Sequence, residues 1–272
     1  MVLAIKGQPL WTAIGAAALL SFILLAAGFA LAVIDFFHPA PTAPKPAVVA
    51  PEERDSESGN KLLVSLGDSL TRGTGDMTGK GYVGRVHDAM QKIYGDKVTA
   101  VNLGINGQTS SDLAKQIRQP QVRKFLRRAT WITITIGGND LFRASGGPEQ
   151  VDRVAIDKGR SLYRKNLSRI LKEIRELNGE APVFIYGLYN PFGDLPDQRE
   201  TSRLVMEWNE TITEVSRQFT RVVVVPTFDL FQLDPSRYLY SDHFHPNQEG
   251  YRKMAERLLH AMGEPKKGDD RP

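Results

Sequence analysis

The 272-residue chain has no cysteine. That absence excludes disulfides, thiolate metal sites, a cysteine nucleophile and the lipid-modified cysteine of a bacterial lipoprotein. Charge of one sign is also scarce, since 35 Lys+Arg against 31 Asp+Glu leave a net charge of only +4. So small a surplus, without a clustered basic stripe, argues against nucleic acid as a partner. The densest basic stretch, Arg123 to Arg128, amounts to a turn or two of amphipathic helix. Internal repeats are lacking too. With 41% apolar and 24% charged residues, the composition is that of an ordinary globular protein.

The apolar residues are unevenly spread. Between Leu10 and Phe37 the only charge is Asp35, and Trp11 to Ile34 is long enough, at roughly 36 Å as helix, to cross a hydrocarbon core. We expect an uncleaved transmembrane signal anchor at 10–37 after a short cytoplasmic N-terminus at 1–9. Ala30-Leu31-Ala32 resembles a cleavage site, so a processed, secreted form is the alternative. Lys6 precedes the span, which by the positive-inside tendency directs the rest of the chain outward. From His38 to Asn60 the repeated prolines favour an extended spacer. Residues 61–262 form the expected folded domain, and 263–272 read as a charged, frayed tail.

Within that domain short apolar runs alternate with helical patterns. Leu62–Leu66, Val98–Leu103, Trp131–Ile136, Val183–Tyr186 and Val222–Val225 read as strands. Tyr82–Tyr94, Ser111–Arg128 (broken at Pro120), Leu162–Leu177, Glu200–Phe219 and Gln248–Ala261 read as helices. Strands too continuously apolar for one-sided burial, each followed by a helix, predict a five-stranded parallel sheet covered on both faces. The expected fold class is therefore α/β, a three-layer α/β/α sandwich. Ligands in such sheets bind beyond the carboxyl ends of the strands.

Those ends carry short polar motifs. The first strand runs into Gly67-Asp68-Ser69-Leu70, the second into Asn102-Leu103-Gly104, the third into Gly137-Gly138-Asn139-Asp140. Ser241-Asp242-His243-Phe244-His245-Pro246 precedes the last helix. Each alone reads equally well as a turn or a helix cap. All four in this order resemble the SGNH hydrolases, the GDSL family of esterases and lipases, over essentially the whole of 61–262. The resemblance implies a flavodoxin-like sandwich and carboxylic ester hydrolysis, with no metal or organic cofactor. No Gly-x-Ser-x-Gly elbow is present, which argues against the commoner α/β-hydrolase architecture.

Ester hydrolysis needs a nucleophile, a base and donors for the developing oxyanion. By the resemblance Ser69 is the nucleophile, His245 the base and Asp242 its orienting partner. The Ser69 and Gly104 backbone N–H groups and the Asn139 amide would form the oxyanion hole. Asp68 is expected to support the turn, and Asp140 to cap the segment after the third strand. Zinc held by Asp242, His243 and His245 is the competing reading, but it lacks a further ligand and leaves Ser69 unexplained.

The loops Thr71–Gly81 and Gly187–Asp197 are expected to border the site, with Tyr189 and Phe192 lining an acyl pocket. Short connections leave little room for a large lid. The expected substrates are lipid, lysolipid or small acyl esters outside the membrane. An O-acetyl esterase on cell-wall polysaccharide and a catalytically silent module are the alternatives. The N-terminal helix would be the membrane partner, and the sequence does not give the oligomeric state.

Overall fold

The computed structural model describes residues 8–37, 59–145, 152–192 and 198–263. The chain divides into two compact units, Met1–Arg54 and Asp55–Pro272. The first contains one helix, α1 (Gln8–Phe37), whose described side chains, among them Phe22 and Leu25, are exposed. Its side-chain surroundings are described only over residues 13–28, and among the described residues no helix is long and apolar enough to cross a membrane. The transmembrane helix expected at 10–37 is therefore not supported by the structure. Most of the expected spacer, and the tail beyond Gly263, lie outside the described residues.

In the second unit five strands form one sheet: β1 (Lys61–Gly67), β2 (Val98–Asn102), β3 (Trp131–Thr135), β4 (Val183–Tyr186) and β5 (Val222–Val225). Their order is β2-β1-β3-β4-β5 and every pairing is parallel. This is the flavodoxin-like order, whose topological switch point lies between β1 and β3. Alternate residues of the central strands face opposite layers. Leu62, Val64 and Leu66 join one apolar cluster, while Leu63 joins the other. Burial on both faces is what made the strands read as unbroken apolar runs.

The first cluster is closed by α4 (Ser110–Gln116), α5 (Pro120–Arg128), α7 (Arg153–Leu177) and α8 (Gln198–Ser216). The second is closed by α3 (Gly81–Tyr94), α9 (Phe228–Gln232) and α11 (Gln248–Met262). Three further short α-helices are found among the described residues: α2 (Ser69–Arg72), α6 (Gly138–Ser145) and α10 (Pro235–Tyr238). None of these three, nor α9, was expected from the sequence, because they are too short to show a period. The helix expected from Leu162 begins nine residues earlier at Arg153, where the Asp152 carboxylate accepts from the Ala155 N–H at 3.1 Å. The added turns include Gly159, a weak helix former. A Cβ at Gly159 would lie 2.5 Å from the Ala144 Cβ, so this glycine lets α7 approach α6.

At the end of β1, Gly67 turns the chain toward Ser69 with φ +131. A Cβ there would sit 2.0 Å from the Thr135 carbonyl oxygen, on the neighbouring strand. Both the backbone conformation and the space demand glycine. Gly67→Ala should cost about 3 kcal/mol or more of stability. Urea unfolding of the full-length variant checks this, and a midpoint equal to wild type would contradict the packing described.

Candidate active site

The site lies at the switch point, where β1 and β3 part. Asp68 caps α2, its Oδ1 accepting the Leu70 N–H at 3.0 Å, and Ser69 is the first residue of that helix. The same Oδ1 accepts the Thr135 hydroxyl at 2.8 Å, and the Asp68 N–H donates to the Thr135 carbonyl at 3.1 Å. Thr135 Oγ1 also accepts the Thr71 N–H at 3.2 Å, while the Thr71 hydroxyl donates to the Leu66 carbonyl at 2.9 Å. Tyr82 reaches this group from α3, 2.9 Å from Thr71 Oγ1 and 3.1 Å from Thr133 Oγ1. All of these side chains are buried, and their hydroxyls satisfy one another beneath Ser69.

Asp242 and His245 approach from the other end of the sequence. The loop that carries them is closed by a bridge between Leu239 and Pro246 and by the Tyr240 N–H donating to the His245 carbonyl at 2.7 Å. Asn247 fixes its exit into α11, accepting from the Glu249 and Gly250 N–H groups and donating to the Arg237 and Leu239 carbonyls. At the apex His243 takes φ +54 with its side chain exposed.

These two regions meet at hydrogen-bond distance. His245 Nε2 lies 2.8 Å from Ser69 Oγ, and His245 Nδ1 lies 2.6 Å from Asp242 Oδ2. The carboxylate can only accept, so Nδ1 carries the proton and Nε2 is left to accept from the serine. Asp242 Oδ1 accepts the Phe244 and His245 N–H groups, both at 2.9 Å. Partial burial opposes its charge, but the His245 ring and the two N–H donors outweigh that and hold its carboxyl below the usual range. With both ring nitrogens of His245 engaged, the zinc reading loses a ligand. Among the described residues no group of three or more His, Asp or Glu side chains is arranged to hold a metal ion.

The three expected oxyanion donors differ in availability. The Ser69 N–H has no protein acceptor among the described residues. Asn139, at the start of α6, donates one Nδ2 hydrogen to the Gln108 carbonyl at 3.0 Å, leaving the other unspent. Gly104 departs from expectation, because its N–H donates to Asn102 Oδ1 at 3.0 Å. Its glycine serves packing instead, as a Cβ there would lie 2.5 Å from the Arg72 nitrogen. Asn102 also donates to the Thr71 carbonyl at 2.7 Å, tying the end of β2 to α2. Three residues on, the Gly107 N–H has no protein acceptor among the described residues, and its carbonyl accepts from Arg143. The Asn106-Gly107 turn signal was there in the sequence, but which glycine kept its N–H free was not. Asp140 does not cap its own segment. It accepts from the Ser110 N–H at 2.9 Å and the Ser110 hydroxyl at 2.5 Å, joining α6 to α4.

Beside Ser69 opens a cavity of about 100 Å³. Its walls are mostly apolar, with Leu141 and Phe142 from α6, Leu188 after β4, Leu204 and Val205 from α8, and Phe244. Tyr189 and Phe192 line it as expected. Tyr189 is nevertheless mainly a structural residue, stacked 4.1 Å from Phe231 and donating its hydroxyl to the Phe244 carbonyl at 2.6 Å. The contributions of α6 and α8 were missed, since α6 is too short to show a period and α8 adjoins no recognisable motif. Residues 193–197 of the second expected loop lie outside the described residues. In the first, Gly75 packs against the histidine loop, where a Cβ would lie 2.6 Å from the Pro246 carbonyl. Contrary to expectation, no residue of that loop, from Thr71 to Gly81, lines the cavity.

A serine, a histidine and an aspartate in hydrogen-bonded sequence on a flavodoxin-like sandwich define a site of the serine-hydrolase kind. The sequence profile of the GDSL-like lipase/acylhydrolase family matches residues 65–253, and the chain belongs to that family of carboxylic ester hydrolases. It is 34% identical over 206 residues to the uncharacterized protein YpmR of Bacillus subtilis, covering 74% of this chain and 81% of that protein. The spore germination lipase LipC of Bacillus licheniformis is 29% identical over 200 residues, 71% of this chain and 92% of that one. Among solved structures, the lipase Lip_vut3 from a goat rumen metagenome has a TM-score of 0.65 at 26% identity, covering 74% of this chain and 97% of its own.

Burial pushes the Asp68 carboxyl up to about 6, against the hydrogen bonds from Thr135 and Leu70 and the nearby charge of His245. Its ordinary value is 3.8, so between these pH values the folded chain binds more protons than the unfolded one. The stability this group contributes is then full below the lower value and lost as pH rises through the higher. Asn at this position keeps an Oδ1 for both donors and has no charge to bury. Asp68→Asn should therefore exceed wild type at pH 8 by on the order of 3 kcal/mol, with the gap closing toward pH 4. Urea midpoints of both proteins at the two pH values test it, and a gap that widens on acidification would refute the assignment.

Proposed function

We propose that Ser69, His245 and Asp242 form a catalytic triad that cleaves carboxylic esters through an acyl-enzyme. The observation that carries this reading is the continuous chain of hydrogen bonds, 2.8 and then 2.6 Å, that ends at Ser69 Oγ beside an apolar cavity. His245 Nε2 takes the Ser69 proton as Oγ attacks the ester carbonyl carbon, and Asp242 stabilises the imidazolium that forms. The tetrahedral intermediate then expels the alcohol, which receives that proton. Water repeats the sequence on the acyl-enzyme, releasing the acid and restoring Ser69.

For the oxyanion we propose the Ser69 N–H, the free Asn139 hydrogen and the Gly107 N–H, in place of Gly104. Asn139 bonds the Gln108 carbonyl, which keeps the Gly107 turn beside it. Preorganised donors of this kind cost no reorganisation during reaction.

An acetyl group would leave most of the apolar wall uncovered, so the reading favours aliphatic acyl chains longer than acetyl. We also place the enzyme outside the cell membrane, held by its N-terminal segment. This rests on the single charge between Leu10 and Phe37 and on the exposed apolar side chains of α1. Partition of the full-length chain into the membrane fraction after alkaline wash tests the location, and recovery in the soluble fraction would reject it.

Hydrolysis of p-nitrophenyl esters from acetyl to palmitoyl by the full-length chain tests the chemistry. Ser69→Ala should abolish turnover, and Asn139→Ala should lower kcat by roughly 10²–10³. Turnover that survives Ser69→Ala would dismiss the triad. An optimum at acetyl would shift the substrate class to O-acetyl groups.

A further inference from the structure

Phe244 stands between the proposed orienting carboxylate and the proposed base, and its backbone is pinned at both ends. The N–H donates to Asp242 Oδ1 at 2.9 Å, and the carbonyl accepts the Tyr189 hydroxyl at 2.6 Å. A ring on so constrained a backbone has few ways to move. Its centroid lies 5.1 Å from the His245 ring at 77°. It also lies 6.1 Å from Phe142 at 69° and 6.3 Å from Phe192 at 52°. These separations fall in the range where aromatic pairs attract edge to face.

The three phenylalanines come from three separate elements. Phe142 belongs to α6, Phe192 to the loop after β4 and Phe244 to the histidine loop, and all three line the cavity beside Ser69. Phe142 keeps 43% of its surface exposed, which leaves it free to cover an apolar ligand. None of the three rings needs a polar partner, and none supplies one. Contact with an alkyl chain is the interaction such a wall offers, at about fourfold in affinity for each methylene fully covered.

We propose that Phe244 is a shared wall, setting alkyl-chain specificity together with Phe142 and Phe192 and holding the His245 imidazole in line with Ser69. The proposal rests on the ester-hydrolase reading above and deepens it to a substrate class, esters of linear alkyl acyl chains in preference to acetyl esters. A bound chain packs on the same ring that backs the base, so the correct substrate itself stiffens the catalytic geometry. Phe142 contributes to specificity alone, because no contact links it to His245.

The two roles separate experimentally in the full-length protein. The first readout is the octanoate-to-acetate ratio of kcat/KM on p-nitrophenyl esters, for wild type, Phe142→Ala, Phe244→Ala and Phe244→Leu. The second is the rate of Ser69 labelling by a small phosphonate without an alkyl tail, which reports the triad and not the wall. The ratio should fall at least tenfold in Phe142→Ala with labelling within threefold of wild type. In Phe244→Ala the ratio should fall similarly and labelling should slow at least fivefold, and Phe244→Leu should recover much of both. An unchanged ratio in Phe142→Ala overturns the acyl wall, even where Phe244→Ala proves too unstable to assay. Unchanged labelling in a folded Phe244→Ala overturns the positioning role. A wild-type chain that neither cleaves esters nor takes the phosphonate fails at the hydrolase reading itself, an outcome distinct from an active enzyme whose ratio ignores these rings.

Discussion

The carboxyl of Asp68 and the hydroxyl of Thr135 clip β1 to β3 at the point where the sheet reverses its order, and the rest of the site depends on that clip. Parallel neighbours diverge beyond their last shared hydrogen bond, and a nucleophile on such a divergence would wander. Here the Asp68 N–H and Oδ1 both engage Thr135, and Thr135 in turn receives the Thr71 N–H. Ser69 is held between two anchored residues. Gly67 and Gly104 provide the room, since side chains at either would strike neighbouring backbone. A buried polar cluster with every member paired fixes one arrangement and excludes its rivals more sharply than apolar packing does.

The histidine loop is built on the opposite plan. It lies 176 residues from Ser69 in sequence, yet its conformation is set almost wholly by local bonds. The Leu239–Pro246 bridge, the Tyr240–His245 bond and the Asn247 cap all lie within or beside it. Asp242 and His245 are i, i+3 neighbours in that loop, so the proposed orienter and base travel as one unit. What tertiary structure adds is docking. Gly75 packs on the loop, and Tyr251 of α11 donates its hydroxyl to the Thr74 carbonyl at 2.7 Å. Two preformed halves brought together need little rearrangement to react.

The contrast explains what was legible in the sequence. The strands were, because burial on both faces leaves runs such as Trp131-Ile132-Thr133-Ile134-Thr135 that only a central strand accommodates. Ser69, Asp242 and His245, which the structure brings into hydrogen-bond contact, could be singled out because each sits in a short local motif. Gly104 was misjudged for a different reason. Its availability as a donor turns on whether Asn102 has already claimed its N–H, and that is a fact of three dimensions. The acyl wall was legible only in part. Tyr189 and Phe192 adjoin the end of β4, but Phe142, Leu204 and Phe244 meet through packing of elements far apart in the chain. Nor could the start of α7 be placed, since Gly159 satisfies its close approach to α6 and weakens its helical pattern at once.

Two carboxylates serve the base, and their environments divide the work. Asp242 is partly exposed and surrounded by donors, so it stays ionised and bonds the imidazole directly. Asp68 is buried, which raises its carboxyl to about 6, while the hydrogen bonds from Thr135 and Leu70 and the charge of His245 draw it back toward ionisation. In the proposed mechanism, positive charge formed on His245 as it takes the Ser69 proton lowers the cost of charge on Asp68. The residue that clips the strands together would therefore also respond to that charge. Burial also thins the water that would otherwise screen this interaction, so it is felt more strongly than the same pair would feel it at the surface.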